Sequence, residues 1–140
     1  MRVLALDYGS TRCGCAISDP TGTIVTPIET VARPLTKRGM AALKALVLAR
    51  EVERVVVGLP LSLRGEDTAQ TRETREFARR LAHELSASMP APVPVEMHDE
   101  RFTTRMAQRM EGAGTAEDSR AAAHLLESWL AARDGAQHSA

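Results

Sequence analysis

Three observations predict an α/β fold in which helices pack on a mixed sheet. Short apolar runs of strand length come first, helical-period stretches then alternate with further apolar runs, and a helix-like segment closes the chain. At 140 residues the chain suits one domain, and a domain of that size buries about 68–70% of its unfolded surface. We expect that domain over residues 1–133, with a flexible tail over 134–140.

The elements follow in order. Val3–Asp7, Arg12–Ser18 and Thr23–Glu29 read as strands, and the turn residues Gly9-Ser10 and Asp19-Pro20-Thr21-Gly22 between them imply an antiparallel meander. Within the second strand Cys13 and Cys15 alternate with Gly14 and Ala16, so both point to one side as small apolar fillers. A metal role for them would need further ligands at the right spacing, and no His is near. From Lys37 to Arg50 the period becomes helical, with Met40, Leu43, Leu46 and Val47 on one side. Val55–Gly58 reads as a buried strand. Asp67–Ser88 reads as a long helix with the stripe Phe77, Ala78, Leu81 and Leu85. Val93–Met97 reads as the last strand, Thr103–Glu111 as a short helix and Asp118–Arg133 as the closing helix. The order βββαβαβαα gives a five-stranded sheet, an antiparallel meander plus parallel strands, flanked by helices.

Composition excludes several classes. Hydrophobic residues at 44% and charged residues at 26% suit a globular protein rather than a disordered one. Eighteen basic and eighteen acidic residues give formal net charge zero, so any nucleic-acid binding must rest on local patches. Aromatics at 3% make base stacking a minor theme. No apolar run approaches the roughly 20 residues of a membrane helix, and Met1–Leu6 is too short for a signal peptide. A cytoplasmic protein without a membrane partner is expected.

Three acidic positions carry the chemistry. Asp7 ends one buried strand, Glu100 follows another, and Asp118 shares a helical stripe with Ala122, Leu125 and Trp129 that should face the protein. Carboxylates at such places are costly unless something cationic meets them. Three of them without a Cys or His cluster suit a hard cation with oxygen ligands, Mg2+ or Mn2+, and metal-assisted phosphoryl transfer. Each also has a bland alternative. Asp7 could bond the turn from Tyr8 to Thr11. Asp99 competes with Glu100 as the ligand, and Glu100 could pair with Arg101 or Arg105 at the surface. Asp118 could belong to a capping-box-like start with Thr115.

The run Leu6-Asp7-Tyr8-Gly9-Ser10-Thr11-Arg12, continuing to Asp19, then Val57-Gly58-Leu59-Pro60-Leu61, Asp99-Glu100-Arg101 with Thr103-Thr104, and Asp118 with Ala121-Ala122 together resemble the bacterial YqgF/RuvX family, in order and over most of the chain. The resemblance implies a ribonuclease H-like fold. It also implies a nuclease, described for that family both as maturing the 5′ end of pre-16S rRNA and as resolving Holliday junctions. The family's acidic site falls on Asp7, Glu100 and Asp118, which favours Glu100 over Asp99. Products with 5′-phosphate and 3′-hydroxyl ends are implied as well.

The expected mechanism places two divalent ions about 4 Å apart, bridged by Asp7, with Glu100 and Asp118 each completing one side. Arg12 follows Asp7 in the turn, and Arg101, Arg105 and Arg109 recur every four residues after Glu100, so Arg12, Arg101 and Arg105 are candidates to hold phosphates. Arg72, Arg75 and Arg79 alternate with Glu73 and Glu76 and read as a solvated face. His98 is a candidate proton shuttle or simply a partly buried His. The partner is nucleic acid, structured RNA or branched DNA, and the protein a monomer or homodimer. Two rivals share these residues. Asp7-Tyr-Gly-Ser-Thr is similar to the phosphate-binding turn of actin-like ATPases and sugar kinases, but those need two such domains. A non-catalytic RNA-binding ribosome-assembly module is favoured by zero net charge and by the lack of a basic residue from Glu111 to Glu117.

Overall fold

A computed structural model describes residues 1–102 and 115–138, and the side chains within that range other than those of residues 102, 115–118 and 136–138. Five strands, β1 (Val3–Asp7), β2 (Arg12–Ser18), β3 (Val25–Ala32), β4 (Arg54–Leu59) and β5 (Val95–Asp99), form one sheet in the order β3-β2-β1-β4-β5. The first three pair antiparallel as the turns predict, while β4 runs parallel to β1 and β5 parallel to β4. This is the mixed five-stranded sheet expected from the sequence. Parallel neighbours need crossovers, supplied by α1 (Lys37–Ala49) and α2 (Ala69–Ser88).

Alternation sorts the central strands onto two faces. Leu4, Leu6, Cys13, Cys15, Val55 and Val57 meet Met40, Leu43 and Val47 of α1 and Phe77, Leu81 and Leu85 of α2. Val3, Ala5, Ala16 and Val56 meet Ala122, Leu125, Leu126 and Trp129 of the closing helix α3 (Thr115–His138). Both cysteines are free and buried, the filler role read from the sequence.

Boundaries moved where backbone hydrogen bonding overrode side-chain pattern. Asp19 Oδ1 accepts from the N–H groups of Thr23 and Ile24 at 2.8 and 2.9 Å, closing a loop that delays β3 to Val25. The strand then runs to Ala32 because Val31 and Ala32 still find partners in Cys13 and Arg12, past a register shift between Cys13 and Cys15. Val93–Met97 was placed too early, since Pro92 and Pro94 have no N–H to give a ladder; β5 is Val95–Asp99. Thr68 caps α2, so that helix starts two residues after Asp67. α3 reaches His138 rather than stopping at Arg133. The short helix expected over Thr103–Glu111 falls outside the described residues. No helix among the described residues is long and apolar enough to cross a membrane.

Candidate active site at the C-terminal edge of the sheet

Asp7 is the last residue of β1 and is only 7% exposed. Following Val3 and Ala5 in alternation, it faces α3. Its neighbours in the sheet leave space. Gly14 stands opposite it on β2, and the parallel register that pairs Leu6 with Val57 brings Gly58 alongside on β4. Gly58 belongs to the same face as Val56, and the space where its Cβ would stand is taken by the Glu100 side chain. A Cβ there would lie 3.0 Å from Glu100 Cγ and 3.1 Å from Cδ, with Oε1 closer still. The Glu100 carboxylate therefore lies over the strand adjacent to Asp7, on the same face, where strands are spaced at about 4.8 Å. Gly58 lies at the end of the buried run Val55–Val57, and glycine in a strand marks a close approach. That signal was readable in the sequence.

Asp118 lies in the first turn of α3, one turn before Ala122, and its side chain lies outside the described ones. The stripe predicted with it is real at its other members, since Ala122, Leu125 and Trp129 are buried against the sheet. Ser119 Oγ donates to the Ile28 carbonyl at 2.5 Å. Ile28 pairs with Cys15 and Cys15 with Leu6, so this turn of α3 sits at the level of the end of β1. Among the described residues no group of three or more His, Cys, Asp or Glu gathers at metal-holding spacing.

Asp99 is engaged elsewhere. It accepts from Arg101 Nε at 3.0 Å, from Nη2 at 2.7 Å and from the Arg101 backbone N–H at 2.9 Å. This fork and its charge hold the Asp99 carboxyl below the usual carboxylate range. Arg101 is thus the structural partner of Asp99. Arg12 begins β2 beside the turn and is exposed; Arg105 falls outside the described residues. His98, cross-strand from Gly58, shares a 3.0 Å hydrogen bond with Ser128 of α3, and burial pushes its pKa below the ordinary value. Arg75 grips Asp67 and Arg79 pairs with Glu76, the solvated face the sequence suggested.

Sequence reasoning missed how the end of β1 is held. Tyr8 stacks on Phe77, ring centroids 4.6 Å apart, and its hydroxyl donates to Glu73 Oε2 at 2.8 Å. Burial and then the Glu73 carboxylate push the phenol upward from 10.0. The residue after Asp7 is thereby bolted to α2.

The family model RuvX, described as Holliday junction resolvase, matches residues 1–132. A Koribacter versatilis protein whose name proposes a pre-16S rRNA nuclease is 37% identical over 140 residues, covering 94% of this chain and 88% of its own. A Mycobacterium leprae protein named in the same terms is 40% identical over 137 residues, covering 92% and 72%. Among solved structures, Thermus thermophilus RuvC in complex with Holliday junction substrate superposes with TM-score 0.60 at 19% identity, covering 96% of this chain and 97% of that one. Fowlpox virus resolvase with Holliday junction DNA gives 0.58 at 11% identity, covering 94% and 98%. These two likenesses establish the resolvase-like, ribonuclease H-like fold, and the sequence matches establish more: the chain belongs to the RuvX family.

Proposed function

We propose that this protein is a divalent-metal-dependent nuclease that hydrolyses phosphodiester bonds in nucleic acid, with the 5′ end of pre-16S rRNA as its substrate. The observation that carries this reading is the pair Asp7 and Glu100, brought onto one face of one sheet edge with glycine on both sides of Asp7. Two carboxylates on neighbouring strands repel unless a cation or a proton intervenes. Oxygen donors alone, with no thiol or imidazole among them, suit Mg2+ or Mn2+. Asp7, Glu100 and Asp118 would hold the metal. A bound divalent ion supplies the Lewis acidity that lowers the pKa of a water and neutralises charge on the leaving oxygen.

The chain's own groups do the rest. The Tyr8 anchor fixes the backbone on which Asp7 stands, so its carboxylate is aimed before substrate arrives. Arg12 brings a positive charge to the same turn, and Arg105 remains a candidate for the same work. Arg101, held by Asp99, contributes mainly by fixing the segment that carries Glu100. Names given to relatives at 37–44% identity support pre-16S rRNA as the substrate.

The test is cleavage of sequence-matched RNA, DNA duplex and four-way DNA junction with manganese, magnesium or chelator. RNA should be cut with either metal and left intact with chelator, and Asp7→Asn should abolish cutting while circular dichroism is unchanged. Preferential cutting of the junction would move the reading to a resolvase-like DNA endonuclease. Tight RNA binding without cleavage under every condition would leave a ribosome-assembly module. Full activity in Asp7→Asn would sink the mechanism.

A further inference from the structure

The loop joining β4 to α2 holds a large aliphatic side chain out in solvent: Leu63 is 88% exposed. A single exposed leucine is ordinary, but this one sits on a turn whose backbone is closed. Ser62 N–H donates to the Glu66 carbonyl at 2.9 Å, Gly65 N–H to the Ser62 carbonyl at 2.8 Å, and Glu66 N–H to Ser62 Oγ at 3.0 Å. Gly65 has φ +83°, which a residue with a side chain adopts only with strain. The space beside it is filled by the Arg101 guanidinium, whose Nη1 would lie 3.1 Å from a Cβ at that position. The same Nη1 donates to the Leu63 carbonyl at 3.4 Å.

The stem is fastened as well. Thr71 Oγ1, in α2, donates to the Pro60 carbonyl at 2.5 Å, and Thr68 and Thr71 cap the helix reciprocally. Leu63 thus stands on a braced platform tied through Arg101 to the residue that follows Glu100. The next residue, Arg64, is exposed and cationic. An aliphatic group and a cation at one rigid tip match a nucleotide, which offers a flat apolar base and an anionic backbone.

We propose that Leu63 is a specificity-determining residue that packs on the face of an unstacked nucleobase near the cut, with Arg64 on an adjoining phosphate. Arg101 and Asp99 are then positioning residues that set the height of this wedge relative to Glu100. The proposal rests on the nuclease reading of Asp7 and Glu100 and adds selection for a strand whose bases are already unpaired.

The experiment uses the full chain carrying Asp7→Asn, so that binding is read without cleavage. Affinity is measured for a single-stranded RNA and for the same sequence fully paired, with Leu63→Ala, Leu63→Phe and Arg101→Ala added singly and Leu63→Ala combined with Arg101→Ala. Leu63→Ala should weaken single-strand binding about tenfold, the size of one lost stacking contact, and leave duplex binding and melting temperature unmoved. Leu63→Phe should restore affinity, and the double variant should lose no more than Leu63→Ala alone. Equal affinities with Leu or Ala at position 63 on both RNAs would overturn the wedge and leave the nuclease reading intact. If Asp7→Asn binds neither RNA, the nuclease reading fails first and the wedge goes with it.

Discussion

Asp7 owes its surroundings to what is missing beside it. With glycine on both flanking strands, no side chain from β2 or β4 competes for the space in front of the carboxylate, and Glu100 leans into the part above Gly58. Gly58→Ala should therefore displace Glu100, abolish cleavage and cost about 1–3 kcal/mol through overpacking. Urea unfolding checks the cause: in a Glu100→Ala background the same Gly58→Ala change should cost far less, since the clash is gone. Tyr8 offers a cleaner readout because the chain holds one tyrosine. Its phenol is raised in the folded state, so its contribution to stability is whole below pH 10.0, the unfolded value, and is lost as pH climbs toward the folded one. Phenolate absorbance of the native protein should stay flat at pH values where the unfolded chain ionises, and Tyr8→Phe should flatten the alkaline fall in stability. Asp7 was legible in the sequence because an acid ending a buried run is anomalous. Glu100 and Asp99 could not be separated from residues alone, since the choice depends on which of them Arg101 grips, a three-dimensional fact.

Among the elements, helices were read more accurately than strands, and the reason is physical. A helix satisfies its own backbone, so the stripes Met40, Leu43, Leu46, Val47 and Phe77, Ala78, Leu81, Leu85 fix α1 and α2 to within two residues. A strand ends where its neighbour stops pairing, which is why β3 extends beyond Glu29 as far as β2 can still pair with it. β5 is displaced likewise by prolines that cannot donate. The start of α2 deserves a test of its own kind: Thr71 is buried and its hydroxyl serves both the cap and the Pro60 carbonyl. Thr71→Val keeps the shape but strands that carbonyl, and should destabilise by about 1–3 kcal/mol in urea unfolding. If the loss stays within a few tenths, the cap and the loop stem are not coupled through this hydroxyl.

At the scale of the whole molecule, eighteen positive and eighteen negative side chains cancel. A protein without net charge has little long-range attraction for a polyanion, so its grip on nucleic acid must come from a few local cations. Arg12→Ala should then reduce the steepness of the plot of log affinity against log salt by about one, nearly alike for every sequence tested. An unchanged slope would remove Arg12 from the phosphate contacts. The position of β1 has a consequence in time rather than in space. It is the first strand to leave the ribosome, yet one of its edges is covered only when β4 arrives from Arg54 onward, and its Asp7 face only when α3 arrives from Thr115 onward. Until then the chain exposes an unpaired strand edge that invites wrong partners. Glu100 and Asp118 also emerge in that last stretch, so translation itself acts as the safety catch: a chain still being made has the first acid of its hydrolytic centre and not the others.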